Sequence, residues 1–449
     1  MPKINPKIFK AYDVRGRYPQ ELTTNDAFWL GWSLVKYLKA KTIALGYDAR
    51  LSSPALAWAA AQGVLAAGSK ITNIGLVSTD QLYFVVGKFN YAGGIMITAS
   101  HNPPQYNGLK FCQKQAIPLS YQSGLKEMAT LITNAKDFKT TDQKINQKNY
   151  QTAFTKYLLS FIKAKKLKKL KIVVDASNGS VGPILKLLKT RLPVTLIPLN
   201  WQPDGNFPGH LPNPALPQNL KQLKQAVKKN HADFGVAFDG DADRLVLVDE
   251  QGQTLSGSET MLLIVTQLLN KSAKQTILYN ANTSWAVPEL ITKLGGKAIR
   301  TPVGHSLIKP LMRKHRAVFG GESSGHFYWQ TNYYADSGLI TFLMVLELLS
   351  QQNQKLFHLV KKLNPYYQSP EITLPAKNQT VIIKLLAQKY STGKTDWLDG
   401  LTVQYPDWWF NVRPSNTEPL LRINLEANSQ KLLNLKRKEL LQLIRRLKK

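Results

Sequence analysis

Short apolar runs alternate with longer amphipathic stretches along most of the chain. Thr42–Gly46, Gly93–Ile97, Lys171–Asp175, Phe234–Phe238, Leu245–Val248, Thr276–Tyr279 and Ala317–Phe319 have the length and composition of buried strands. Helix-like segments lie between them. Ser52-Ser53-Pro54 opens an alanine-rich helix running to Ala67, with a serine to cap it and a proline at its first turn. Pro183–Leu188 reads as another helix. This alternation predicts α/β layers around largely buried sheets. After Pro370 the pattern changes: Val381–Leu385, Thr402–Tyr405 and Leu421–Leu425 read as strands, and one helix over Ser429–Leu447 follows. The expected fold is three successive α/β domains with mixed sheets, plus a smaller C-terminal α+β domain, with boundaries near 146, 252 and 366. The segments are 1–146, 147–252, 253–366 and 367–449.

Composition supports several domains. A chain of 449 residues exceeds one core at roughly 100–200 residues per domain. The lone Cys112 excludes an intramolecular disulfide and suits a reducing compartment. Met1–Lys10 lacks the apolar run of a secretory signal, and apolar segments such as Thr260–Leu269 are too short to span a bilayer. A soluble, cytoplasmic chain with no membrane partner is expected.

Charge complicates the picture. Lys+Arg is 59 against 28 Asp+Glu, a formal net charge of +31. Clustered cations suit either a polyanion or an enzyme that draws in anionic metabolites. Two runs, Lys156–Lys171 with seven lysines and Lys431–Lys449, interleave Leu or Ile with Lys, as amphipathic helices with a solvated face do. No RNA-recognition, KH or zinc-finger pattern occurs, so nucleic acid is not the expected partner despite the charge.

Three apolar strands each run into a loop rich in chemistry: Ala99–Lys110, Asp239–Arg244 and Gly320–His326. Ligands of open α/β sheets bind beyond the carboxyl ends of strands, so three such loops could face one central cleft. In the first, Ser100 follows a buried strand, with His101 and Lys110 as proton-moving or charge-neutralising neighbours and Asn102-Pro103-Pro104 as a stiffener. The rival reading is an ordinary turn with a capping serine; Ser-His-Asp hydrolysis fits poorly because no G-x-S-x-G elbow surrounds Ser100. In the second, Asp239, Asp241 and Asp243 alternate with small residues, a hard-oxygen set for Mg²⁺ or Ca²⁺. An EF-hand is excluded, since Arg244 stands where that loop needs Gly and strands flank it. In the third, Glu322 and Ser324 could hold sugar hydroxyls, or the run is a glycine-rich turn. Arg413-Pro-Ser-Asn-Thr417 is equally a phosphate cradle or a cap.

Taken together and in order, these stretches resemble the α-D-phosphohexomutase family, closest to its bacterial phosphomannomutase/phosphoglucomutase branch. Phe9-Lys-Ala-Tyr-Asp-Val-Arg-Gly16 is similar to its N-terminal motif, and Pro203-Asp-Gly-Asn-Phe-Pro208 also fits. The resemblance implies a phosphoserine at Ser100, with Arg15, His101, Lys110 and Arg244 as the other catalytic residues and Tyr12 in support. It implies Mg²⁺ held by Ser100, Asp239, Asp241 and Asp243. Asn102, Gly304, His305, Glu322 and Ser324 would contact the sugar phosphate; Arg413, Ser415, Asn416 and Thr417 would grip the phosphate that does not react. The implied activity interconverts hexose 1-phosphate and hexose 6-phosphate, of mannose or glucose, through a hexose 1,6-bisphosphate that also serves as primer. The implied partner is a phosphosugar and the implied state a monomer or dimer. A phosphoglucosamine mutase is the rival within the family, and a basic nucleic-acid binder on an inactive mutase scaffold the rival outside it. The chain departs from the family pattern at Asn280, Asn282, Val303 and Ser323, with Asn282 in place of an expected lysine.

Overall fold

The computed structural model describes residues 4–135, 144–415 and 419–447. They form two compact units: residues 1–256 with 324–357, and residues 257–323 with 358–449.

The first unit contains two sheets. β1 (Val14–Arg17), β2 (Thr42–Tyr47), β3 (Lys70–Leu76), β4 (Gly93–Ile97), β5 (Tyr106–Gln113), β6 (Ile117–Leu119) and β7 (Asn146–Gln147) make a mixed sheet of order β1-β5-β4-β2-β3-β7, with β6 on β5. β2, β3, β4 and β7 run parallel and β5 reverses against β4. The helices α1 (Thr24–Leu38), α2 (Ser53–Ala66) and α3 (Thr79–Lys88) flank it. Every residue of β4 is buried, as the unbroken apolar run Gly93–Ile97 requires at a sheet centre. β8 (Lys171–Asp175), β9 (Thr195–Leu199), β10 (Phe234–Phe238) and β11 (Leu245–Asp249) make the second sheet, of order β11-β10-β8-β9. The apolar helix Gly338–Gln351 also belongs to this unit; its Phe342 packs 6.3 Å from Phe234 and 6.2 Å from Phe238, centroid to centroid.

In the second unit, Thr276–Asn280 pairs in parallel with both Lys297–Thr301 and Phe319–Gly321, beside the helices Gly257–Lys271, Ala286–Lys293 and His305–His315. Its C-terminal sheet is antiparallel, with Leu420–Ala427 between Tyr367–Gln368 and Trp408–Pro414, followed outward by Leu401–Gln404 and Lys394–Asp396. The closing helix Gln430–Leu447 buries Leu433, Leu440 and Ile444 and leaves Lys431, Arg437 and Lys438 in solvent, the solvated face expected of that run.

Four expectations change. Val381–Leu385 is not a strand but the start of the helix Gln379–Lys389: Ile382, Ile383 and Leu386 are buried while Val381 and Leu385 are exposed, a helical period that the β-branched composition masks. Lys156–Lys171 is not one helix. The helix ends at Leu159, a 3₁₀ turn covers Ala164–Lys166, and Lys171 already starts β8; the apolar spacing 154, 158, 162 is helical but breaks at Leu167, five positions on. The strand read at Ala317–Phe319 lies two residues later, at Phe319–Gly321. Lys110 is not in a loop but within β5, opposite Met96 of β4.

Candidate active site

The nucleophile candidate stands where β4 ends. Ser100 is a non-glycine residue with φ +50°, a left-handed conformation that costs about 1–2 kcal/mol. It is held there from both sides. Its N–H donates to Thr98 Oγ1 at 2.8 Å, and Thr98 Oγ1 donates to Asp48 Oδ2 at 2.7 Å. Gly240 meets it from the next sheet: a Cβ on Gly240 would lie 2.5 Å from the Ser100 carbonyl oxygen, so only glycine lets the two loops approach this closely. The Ser100 hydroxyl has two acceptors, Asp239 Oδ2 at 2.9 Å and His101 Nδ1 at 3.1 Å. Its single proton can serve one at a time.

β10 delivers the acidic loop to the same place. Asp239, Asp241 and Asp243 are all buried, and one oxygen from each lies within 4.8 Å of the others. Lys110 Nζ donates to Asp241 Oδ2 and Asp243 Oδ2, both at 2.6 Å. Thr79, at the start of α3, adds a hydroxyl to Asp241 Oδ2 at 2.6 Å. The Oδ1 atoms of Asp241 and Asp243 are buried and accept no hydrogen bond among the described residues. Buried carboxylate oxygens without a donor cost desolvation that a cation would offset. Three clustered carboxylates, two of them with an oxygen that lacks a donor, therefore fit a hard divalent cation. Burial, then the charges of Asp243 and Asp241, push the Asp239 carboxyl well above its ordinary range. Asp243 shifts the other way: burial opposes its charge, but Lys110, His326 and Arg244 outweigh it. Burial likewise opposes the Lys110 ammonium, yet Asp241 and Asp243 lift it well above the lysine range. Lys110 is thus a fixed charge and not a base.

Cations ring the serine. Arg15, in β1, donates from Nη1 to Asn102 Oδ1 at 2.7 Å and pairs with Asp13; its buried Nε has no acceptor among the described residues. Tyr12 is half-buried just before that strand. Arg244 Nη2 lies 3.0 Å from His101 Nδ1 and its Nε donates to His326 Nε2 at 3.0 Å. With Nε2 accepting, the His326 proton sits on Nδ1, 3.0 Å from Ser324 Oγ. The Arg244 charge, then burial, hold His101 well below its ordinary pKa, so it is neutral at pH 7. A neutral His101 presents its Nδ1 lone pair as an acceptor that the Arg244 Nη2–H and the Ser100 hydroxyl share.

The second unit holds the remaining candidates. Glu322 is buried, and its Oε1 accepts the Gly304 N–H at 2.9 Å. Gly304 caps the helix that His305 opens; the His305 side chain lies outside the described residues. Arg413 is buried and already partnered. It pairs with Glu371 and donates from Nη1 to Asn424 Oδ1 at 3.0 Å and Asn411 Oδ1 at 3.2 Å. Ser415 Oγ is buried with no partner among the described residues. Asn416 and Thr417 lie outside the described residues. Two of the departures bond to each other: Ser323 Oγ donates to Asn282 Oδ1 at 2.9 Å, and Asn282 Nδ2 reaches Asn424 Oδ1 at 3.3 Å.

Thr79, Asp80, Asp48 and His326 also belong to the first unit's centre, and motif reading gave them no part. Asp80 is buried between the hydroxyls of Ser78 and Ser337. The signal was available for Thr79 and Asp80, since Ser78-Thr79-Asp80 is a polar cap before an apolar helix; its target, Asp241, is 162 positions away.

Four family models match in chain order: phosphoglucomutase/phosphomannomutase alpha/beta/alpha domain I over residues 6–138, domain II over 148–252, domain III over 256–367, and the C-terminal domain over 378–443. A phosphomannomutase of Escherichia coli K12 is 38% identical over 431 residues, covering 93% of this chain and 94% of that protein. A Xanthomonas campestris protein named for phosphohexose mutases is 37% identical, with 97% and 99% covered. The crystal structure of a phosphoglucomutase/phosphomannomutase family protein from Burkholderia thailandensis superposes with a TM-score of 0.90 at 30% identity, covering 98% of each chain. Four domain matches spanning the sequence and relatives aligned over nearly their whole length place this chain in the phosphoglucomutase/phosphomannomutase family.

Proposed function

We propose that the chain interconverts hexose 1-phosphate and hexose 6-phosphate, of mannose or glucose, with Ser100 as the phosphoryl carrier. The observation that carries this is the Ser100 hydroxyl, 2.9 Å from Asp239 and 3.1 Å from His101, in a loop held in a strained conformation. In the reaction, the bond between phosphorus and Ser100 Oγ breaks as a new one forms to the free C1 or C6 oxygen of the sugar. The proton of that sugar hydroxyl ends on Ser100 Oγ, where Asp239 and His101 are its acceptors. The hexose 1,6-bisphosphate so formed returns its other phosphate to Ser100. Asp239, Asp241, Asp243 and the phosphorylated Ser100 would hold Mg²⁺, which when bound neutralises charge on the moving phosphoryl group. Lys110, Arg15 and Arg244 are fixed cations on the same side. Glu322 would hold sugar hydroxyls, and Arg413 with Ser415 the phosphate that does not react.

A surface with net charge +31 draws in a doubly charged metabolite without needing a polynucleotide. The test is turnover of mannose, glucose and glucosamine 1-phosphates with Mg²⁺ and a trace of hexose 1,6-bisphosphate. Turnover of mannose or glucose 1-phosphate is expected. Preference for the glucosamine ester overturns the sugar assignment, and no turnover of any overturns the activity.

A further inference from the structure

We propose that Arg50, sealed by the Pro203–Pro208 loop, is a positioning residue that sets the aim of the Ser100 hydroxyl; the inference rests on Ser100 being the phosphoryl carrier. Arg50 is 1% exposed, so its charge is not offered to solvent or to a passing substrate. Its acceptors are instead concentrated on one loop. Nη2 donates to the carbonyls of Ser100 at 2.9 Å and Asn102 at 2.6 Å; Nη1 donates to those of Pro103 at 2.7 Å and Tyr106 at 3.0 Å. Nε donates to Asp48 Oδ2 at 3.1 Å. A guanidinium has five N–H donors in one plane, and here each has an acceptor.

The same pair reaches the other side of the serine. Asp48 Oδ2 takes the Thr98 hydroxyl at 2.7 Å, and Thr98 Oγ1 takes the Ser100 N–H at 2.8 Å. Both peptide groups of a residue held at φ +50° thus lead back to Asp48 and Arg50. Without them the loop relaxes to an ordinary φ and the hydroxyl turns away from Asp239.

The Pro203–Pro208 segment, which carries none of the chemistry assigned above, closes the site. The Phe207 ring centroid lies 5.2 Å from Arg50 Cζ, a cation–π contact on the face of the guanidinium. Gly205 permits this approach: a Cβ there would lie 2.4 Å from the Leu51 nitrogen and 2.7 Å from the Ala49 oxygen. Lysine could keep the charge of Arg50 but not the planar fork.

The test compares wild type with Arg50→Lys, Arg50→Ala, Phe207→Leu and Ser100→Ala, each checked for folding by circular dichroism at the assay temperature. Arg50→Lys is expected to lower kcat about 100-fold with KM within about threefold of wild type, the mark of a misplaced reacting group and not of lost binding. Phe207→Leu is expected to lower kcat about fivefold by loosening the same group. Added guanidinium is expected to restore about tenfold of the kcat lost in Arg50→Ala, which a merely structural role would not allow. A folded Arg50→Lys enzyme with kcat within twofold of wild type, while Ser100→Ala is inactive, overturns the clamp alone. Activity retained by Ser100→Ala overturns the carrier assignment and the clamp with it. If Arg50→Lys does not fold, Phe207→Leu decides: unchanged kcat overturns the proposal.

Discussion

The serine–aspartate centre of the first unit and the Arg413 region of the second handle buried charge in opposite ways. Around Ser100 the polar groups are aimed but incomplete: Asp241 Oδ1, Asp243 Oδ1 and Arg15 Nε are buried without a hydrogen-bond partner among the described residues. Around Arg413 the cation is answered from within, by Glu371, Asn411 and Asn424. A group that reacts must be placed before its partner arrives, and unsatisfied buried atoms record that placement. A group that only grips can rest on internal partners and exchange them for a ligand. The difference lies in which groups are left incomplete: carboxylate oxygens beside Ser100, and the Ser415 hydroxyl beside an Arg413 guanidinium that is already ion-paired.

Four perturbations break or sharpen that contrast. The largest effect is expected from Asp241→Asn, which removes charge that Lys110 and a cation share; turnover is expected to fall at least about 100-fold, measured at saturating Mg²⁺. A milder strike at the same oxygen, Thr79→Val, is expected to raise the Mg²⁺ concentration for half-maximal rate about tenfold with kcat nearly unchanged. In the gripping region, Arg413→Lys keeps charge but loses the fork, so KM for the sugar phosphate is expected to rise about tenfold with kcat within about threefold. An effect confined to kcat there would erase the distinction between the regions.

The smallest expected effect concerns stability. Burial raises the Asp80 carboxyl to about 7, with Ser337 and Ser78 opposing that shift. Its folded pKa exceeds the unfolded value of about 3.9, so the folded chain binds the extra proton between these limits. Wild type is therefore expected to lose stability as pH rises from about 4 to about 7, relative to Asp80→Asn. Urea unfolding of both proteins at three pH values measures it, and a pH-independent difference contradicts the assignment.

Much of the serine–aspartate centre was legible because its residues cluster in sequence: Ser100 with His101, and three aspartates within five positions. What joins the clusters was not. Thr79 to Asp241 spans 162 positions and Arg244 to His326 spans 82, distances that only a folded chain closes. Alternation of apolar runs identified the central strands, because β4 and β10 are buried on both faces and read as unbroken apolar runs. The same rule failed at Val381–Leu385, where β-branched residues sit on an amphipathic helix. Lys110 reads as part of the serine loop because Gly108 suits a turn, yet Gly108 lies inside β5, in register with Arg15 of β1.

The central claim is that Ser100 carries the phosphoryl group, and one measurement reaches it directly. The enzyme is incubated with hexose 1,6-bisphosphate and Mg²⁺, digested, and the peptide containing Ser100 is weighed by mass spectrometry before and after addition of hexose 1-phosphate. The account predicts one added phosphate on Ser100 that turns over when substrate is added and is absent from Ser100→Ala. A phosphate found on another residue, or isomerisation that proceeds with Ser100 never labelled, would contradict it.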